Sequence, residues 1–215
     1  MFERPRKLTP IRPAASADGG RSLLRWARAS QTPGGRALRA LGWADQRLLL
    51  AFRRNGHTPA LERAATALGS FGELGGGWTG IGLAGAAFNA DDRRRWLYAA
   101  AAAPAAILAN YAVKLAVGRE RPLIEEHPPL ARAPSKLSFP SAHSTSATAA
   151  SIVIGRVAPE TRPSLYALAA AICLGRPYLG MHYPSDVLAG VALGSILGRA
   201  FPLPKRVVWQ GGPAA

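Results

Sequence analysis

Five apolar blocks run from Leu68 to Phe201, separated by polar or proline-bearing breaks of which Gly118–Ser141 is the longest. They cover about Leu68–Asn89, Trp96–Val117, His143–Val157, Ser164–Leu179 and Ser185–Phe201. Segments this apolar on every side either cross lipid or sit inside other helices. The expected fold is therefore all-α, a multi-span transmembrane helical bundle of about five spans. The last three blocks are short against the roughly 20 residues that a bilayer needs, so a soluble bundle of buried helices is the competing architecture. Gly75-Gly76-Gly77 and other small residues permit close helix contact in lipid. Trp96 and Tyr98 suit interfacial anchors, and Pro104 is tolerable within a membrane helix.

The rest of the 215-residue chain is different in kind. Residues 1–35 are rich in Arg, Pro, Ser and Gly without the apolar stretch of a secretory signal, and are expected to be a disordered basic tail. Residues 36–67 mix Leu38, Leu41, Leu48, Leu49 and Phe52 with Arg39, Asp45, Arg47, Arg53 and Arg54. That pattern predicts one or two interfacial amphipathic helices, broken near Gly42, and then a turn at Asn55–Pro59 in which His57 has no evident role. Residues 68–206 form the expected catalytic domain and 207–215 a C-terminal tail. Net charge is +15. Such a balance points to an anionic lipid or phosphorylated partner. Nucleic acid is the weaker choice and is not expected as a partner, because the charge does not line a helix interleaved with aromatics. The one cysteine, Cys173, lies in an apolar block and reads as buried filler; no zinc-type spacing exists.

Up-and-down connectivity brings three separated segments to one face. Lys114 and Arg121 flank the end of the second block, Ser141 and His143 open the third, and Arg176, His182 and Asp186 lie around the break before the fifth. Each has a dull explanation alone, as a snorkelling base or a satisfied polar group. Together they gather more charge at one depth than is tolerable without an anion. A phosphate ester suits them. Lys114, Arg121 and Arg176 can neutralise its oxygens, and no carboxylate cluster for a metal is visible, so the cations come from side chains. Ser141 is a good N-cap after Pro140, and the following helix start offers the N–H groups of Ala142 and His143. His182 has Asp186 four residues on to fix its tautomer, which leaves the other ring nitrogen to attack phosphorus. His143 has no carboxylate nearby in sequence and suits a general acid and base. Glu73 faces either the interface or this site.

Lys114-(six residues)-Arg121-Pro122, Pro140-Ser141-Ala142-His143 and Arg176-(five residues)-His182-(three residues)-Asp186 together resemble the type 2 phosphatidic acid phosphatase superfamily. The resemblance implies a phosphohistidine at His182 oriented by Asp186, with His143 as acid and base. It implies phosphate binding by Lys114, Arg121, Ser141, Ala142 and Arg176, and no metal or other cofactor. Two positions depart from the usual motifs: Ala142 stands where glycine is usual and Gly175 where serine is usual. The wider text, including Leu68–Glu73, Pro134–His143 and Leu179–Asp186, is similar to the small actinobacterial branch acting on decaprenylphosphoryl-5-phosphoribose. The expected activity is removal of the terminal phosphate from a polyprenyl-linked lipid at a bacterial plasma membrane. Undecaprenyl diphosphate, phosphatidylglycerophosphate and phosphatidate present the same group, and a non-catalytic anionic-lipid binder is the alternative from another class. The family default places the site outside the cytoplasm; basic residues stand on both faces of this chain, so charge alone does not orient it.

Overall fold

A computed structural model describes residues 33–124 and 126–206, with side chains from residue 40 onward. The expected tail at 1–35 lies outside the described residues up to position 32, and the C-terminal tail at 207–215 lies outside them entirely. The elements are α1 (Pro33–Arg54), α2 (Pro59–Gly72), a 3₁₀ turn (Glu73–Gly75), α3 (Gly76–Phe88), α4 (Arg93–Val117), α5 (Ala142–Val157), a second 3₁₀ turn (Pro159–Thr161), α6 (Arg162–Tyr178) and α7 (Pro184–Ala200). The described residues contain no strand; one isolated bridge joins Glu120 to Leu137. Two compact units divide at Ala44–Asp45, within α1.

α5 is the central helix. It buries eleven of its 16 residues, and these are mostly small: Ser144, Thr145, Ser146, Ala147, Ala149, Ala150 and Ser151 precede Val153 and Ile154. Small side chains let neighbouring backbones come close. On α7, Gly190, Gly194 and Gly198 recur every fourth residue along the face toward α5; a methyl group at Gly190 would stand 2.7 Å from the Ser141 carbonyl oxygen. Trp78, Ala99, Ala102, Ala103, Ile154, Leu165 and Ile172 complete the core. Larger apolar residues point outward instead: Leu83, Phe88, Leu108, Leu115, Leu174, Leu188 and Ile196 are all exposed. An apolar flank around a core of alanine and hydroxyl residues is the reverse of a water-soluble bundle.

Three expectations need correction. The block Leu68–Asn89 is not one helix: α2 ends at Gly72, and Leu74 (φ 49°) and Gly75 (φ 76°) turn the chain before α3 starts. Glycines here make the left-handed turn cheap and helix continuation costly. α1 runs unbroken through Gly42. His57 has clear contacts. Its Nδ1 lies 3.0 Å from Glu62 Oε1, its Nε2 3.0 Å from the Phe52 carbonyl, and its ring stacks on Tyr178 at 4.2 Å. Of the described helices, α4 alone, with 25 residues, is long and apolar enough to cross a membrane by length and composition.

Candidate active site

The bundle gathers its unpaired chemistry at one end, where α4 finishes, α5 starts, α6 finishes and α7 starts. α4 holds the loop before α5 from two positions one turn apart. Asn110 Nδ2 donates to Thr145 Oγ1 (2.9 Å) and the Pro140 carbonyl (3.3 Å). Lys114 Nζ donates to the carbonyls of Leu137 (3.2 Å) and Pro140 (3.1 Å). The Phe139–Pro140 peptide is cis. Ser141, fully buried, caps α5 by accepting from Ser144 N at 3.4 Å, and its own N–H donates to the Asp186 carbonyl. Thr145 N takes the Ser141 carbonyl, so the N–H groups of Ala142 and His143 are the first-turn donors left over.

The hydrogen bonds fix both imidazole tautomers. Arg121 Nη1 stands 3.0 Å from His182 Nε2 and also donates to the Met181 carbonyl at 2.7 Å. A guanidinium can only donate, so Nε2 carries the lone pair and Nδ1 the hydrogen. Nδ1 faces Asp186 Oδ2 at 3.6 Å, just past hydrogen-bond length. Asp186 is fully buried, and Oδ2 also accepts from Tyr183 N at 2.9 Å. His143 Nε2 lies 3.1 Å from the Gly69 carbonyl, which can only accept, so here Nε2 carries the hydrogen and Nδ1 is free. Glu73 Oε2 is 3.5 Å from the same nitrogen.

Arg176 is only 4% exposed. Its Nε is buried without a hydrogen-bond partner, and among the described residues no carboxylate pairs with its guanidinium. It lies against Gly69 of α2, where a methyl group would collide with Nη2; Gly72, one turn on, gives His143 the same clearance, with 2.9 Å from a methyl carbon to Cδ2. Burial pushes the His182 pKa down to about 4, with Asp186 opposing and Arg121 reinforcing. Burial also lowers the Arg121 pKa, against the pull of Asp186 and Glu73.

All eight residues expected at the site stand at this end: Lys114, Arg121, Ser141, Ala142, His143, Arg176, His182 and Asp186. His143 is within electrostatic reach of Arg176, His182 and Arg121. Three participants, Asn110, Arg119 and Asp45, were not foreseen, and Glu73, left open between the interface and the site, stands at the site. Glu73 gives His143 the carboxylate that its own neighbourhood in sequence lacks. Asn110 sits at the i−4 position to Lys114, a spacing that could have flagged it. Arg119, two residues before Arg121, donates to Asp186 Oδ1 at 2.8 Å and to Asp45 Oδ2 at 2.7 Å. Asp45 came from a stretch read as interfacial. Among the described residues no cluster of three or more His, Cys, Asp and Glu could hold a metal ion.

Buried cations around a lone-pair-bearing imidazole, on an all-helical bundle, define a phosphoryl-transfer type of site. Comparison with known proteins specifies it further. The PAP2 superfamily model matches residues 95–206, and the chain belongs to that superfamily. It is 43% identical over 143 residues to the decaprenylphosphoryl-5-phosphoribose phosphatase of Mycobacterium tuberculosis, covering 65% of this chain and 78% of that one. The protein of the same name from Mycolicibacterium smegmatis is 42% identical over 135 residues, 61% of this chain and 72% of that one. In fold, the chain resembles the crystal structure of a transmembrane PAP2 type phosphatidylglycerolphosphate phosphatase from Bacillus subtilis. The TM-score is 0.63 at 24% identity, over 83% of this chain and 89% of that one.

Proposed function

We propose that the protein is a membrane phosphatase that hydrolyses the terminal phosphate of a polyprenyl-linked sugar phosphate, decaprenylphosphoryl-5-phosphoribose first among candidates. The observation that carries the reading is the His182 tautomer, a lone pair on Nε2 within 3.0 Å of a phosphate-binding guanidinium. The substrate assignment draws on the identity to the mycobacterial phosphatases.

Arg121, Arg176, Lys114 and the first-turn N–H groups of α5 bind the phosphate oxygens. The incoming phosphoryl group takes the Arg121 bond away from Nε2, which then attacks phosphorus. The phosphate binds as its monoanion and gives its proton to the free Nδ1 of His143, which passes it to the leaving sugar oxygen as the P–O bond breaks. His143, now neutral, takes a proton from water; that water attacks phosphorus, the P–N bond breaks, and His182 and inorganic phosphate are released. Three cations and two N–H donors supply the charge stabilisation that a metal gives elsewhere. The exposed apolar flank and the span-length α4 support a bundle set in the membrane with this end at one surface.

Phosphate release by the detergent-purified protein should proceed unchanged in EDTA and cease in His182→Ala. A substrate panel of decaprenylphosphoryl-5-phosphoribose, undecaprenyl diphosphate, phosphatidylglycerophosphate and phosphatidate should favour the first. Activity surviving His182→Ala would sink the mechanism, and preference for a glycerolipid would sink the substrate.

A further inference from the structure

Asp45, Leu49 and Arg53 form a stripe at four-residue spacing on α1, and all three are buried. On an amphipathic helix the buried stripe is ordinarily apolar. Here two of its three members are charged, while Leu48 on the outer side is 54% exposed. The two charged residues grip the same short segment, the break between α6 and α7 that carries His182.

Arg53 takes the near side. Its Nη1 donates to the Tyr178 carbonyl and its Nη2 to the Pro128 carbonyl, both at 2.8 Å. Its side chain lies across Gly180 (φ 73°), where a methyl group would be 3.1 Å from Nε. Asp45 takes the far side. Its Oδ1 accepts from Ser185 N at 2.9 Å, and its Oδ2 accepts from both Ser185 Oγ and Arg119 Nη2. Arg119 passes the contact on: Nη1 donates to Ser185 Oγ at 2.7 Å and to Asp186 Oδ1 at 2.8 Å, with its guanidinium 4.0 Å above the Tyr183 ring. The chain of contacts therefore runs Asp45–Arg119–Asp186 and ends at the carboxylate facing His182 Nδ1.

We infer that residues 45–54 of α1 are a clasp for the nucleophile, with Asp45 and Arg119 as positioning residues that set Asp186, and through it the His182 ring, while Arg53 fixes the backbone on the other side. The inference rests on the reading of His182 given above. A planar fork that serves two carboxylates and a hydroxyl at once has no substitute in lysine. Neither Asp45 nor Arg119 is placed on the phosphate itself, so substrate affinity should be nearly indifferent to them.

The test uses the full-length protein in detergent micelles with short-chain phosphatidate as probe. Asp45→Ala and Arg119→Ala should each lower kcat by about 10–100-fold, the range for a lost catalytic geometry, with KM within about threefold. Asp45→Asn keeps an oxygen for Ser185 N and should lose less than Asp45→Ala. Arg119→Lys should be nearly as impaired as Arg119→Ala. The acid limb of the pH profile gives a readout that loss of stability alone does not move. Lys114 and Arg121 still face His182, but without Arg119 the Asp186 charge is uncompensated, so His182 protonates more readily and the limb moves to higher pH. If either alanine variant does not fold, Asp45→Asn and Arg119→Lys carry the test on the same readouts. Folded variants with kcat within threefold of the parent and an unmoved acid limb overturn the clasp. If His182→Ala is inactive in the same assays, that failure leaves the reading of the site intact.

Discussion

The two ends of the bundle use the same residue type differently. At the end away from the site, arginines close the helices. Arg156 Nη1 donates to the Gly198 and Phe201 carbonyls at 3.1 and 2.9 Å, Arg95 Nη2 to the Arg156 carbonyl at 2.9 Å, and Arg162 Nε to the Gly155 carbonyl at 2.7 Å. Helix C-termini leave carbonyls unpaired and carry negative dipole charge, so these cations stabilise the ends they cap. Asp92 adds a carboxylate for Arg95 and Arg206. At the site end Lys114 and Arg121 reach carbonyls too, but Arg176 is buried and makes no side-chain hydrogen bond or ion pair among the described residues, and the acid that acts on it, Glu73, is half exposed. A buried cation without its counter-charge costs stability. The difference separates arginines that hold the fold together from arginines held ready for an anion.

Exchanging the two kinds of residue tests that separation. His182→Ala should cost the most, on the order of 10⁴–10⁶-fold in kcat, as for other nucleophiles removed from a catalytic unit. Protein quenched in alkali, where a P–N bond survives, should then carry no labelled phosphohistidine. Arg176→Ala should lower kcat/KM by about 10²–10³-fold, the scale of one lost oxyanion donor, with little change in melting temperature. Arg156→Ala should do the reverse. Two carbonyls lose their donor, stability falls by about 1–3 kcal/mol, and kcat/KM stays within about twofold. Equal effects of the two arginine variants on turnover would erase the distinction between the ends.

Acidity sharpens the same point. His182 is held neutral by burial, with its pKa lowered to about 4. As the proposed nucleophile it is therefore competent at neutral pH and stays so as pH falls. Its loss by protonation begins only as pH approaches 4 and becomes tenfold per unit below it. Once the substrate's own ionisation near 6 is divided out, kcat/KM should be flat from about pH 7 to 5. A limb at the ordinary histidine value of about 6.5 would show that the ring is not buried in the working enzyme.

Much of this site was legible because its residues sit where helices stop. Proline before Ser141, the His182–Asp186 spacing and the alternating direction of successive helices were enough to gather eight residues at one end. What escaped was everything contributed by a segment whose pattern reads as something else. Asp45 and Arg53 look like the polar side of an interfacial helix, because hydropathy records composition and not which face turns inward. The break at Glu73–Gly75 was hidden by a run of glycines that can serve either close packing in lipid or a left-handed turn. Arg119 was overshadowed by Arg121, since a tertiary bridge between Asp45 and Asp186 leaves no local spacing to read.

Glu73 tests whether the two imidazoles are served alike. Each has a carboxylate near the nitrogen that bears hydrogen, at 3.6 Å for His182 and 3.5 Å for His143. Asp186 is buried and Glu73 is half exposed, so solvent screens the second pair far more. Glu73→Gln should lower kcat by only about 3–10-fold, where Asp186→Asn should cost at least ten times more. A loss in Glu73→Gln equal to that in Asp186→Asn would make Glu73 a full partner in the chemistry.

The smallest expected effect concerns Gly175, beside Arg176, where related motifs usually carry serine. A methyl carbon there would have Ala65 Cβ as its nearest neighbour at 3.9 Å, which is ordinary contact, so α2 does not exclude a side chain. Gly175→Ser should therefore fold, and it should be more stable by about 0.5 kcal/mol, because glycine is the poorer helix former. If the new hydroxyl turns toward the oxygens bound by Arg176, one neutral hydrogen bond should tighten inhibition by inorganic phosphate about 2–10-fold. If it bonds back to the preceding turn instead, as serine inside a helix often does, stability should change while phosphate affinity does not. The second result would mean that this chain binds phosphate with charge and helix N–H groups alone, and that its third motif has no need of the hydroxyl.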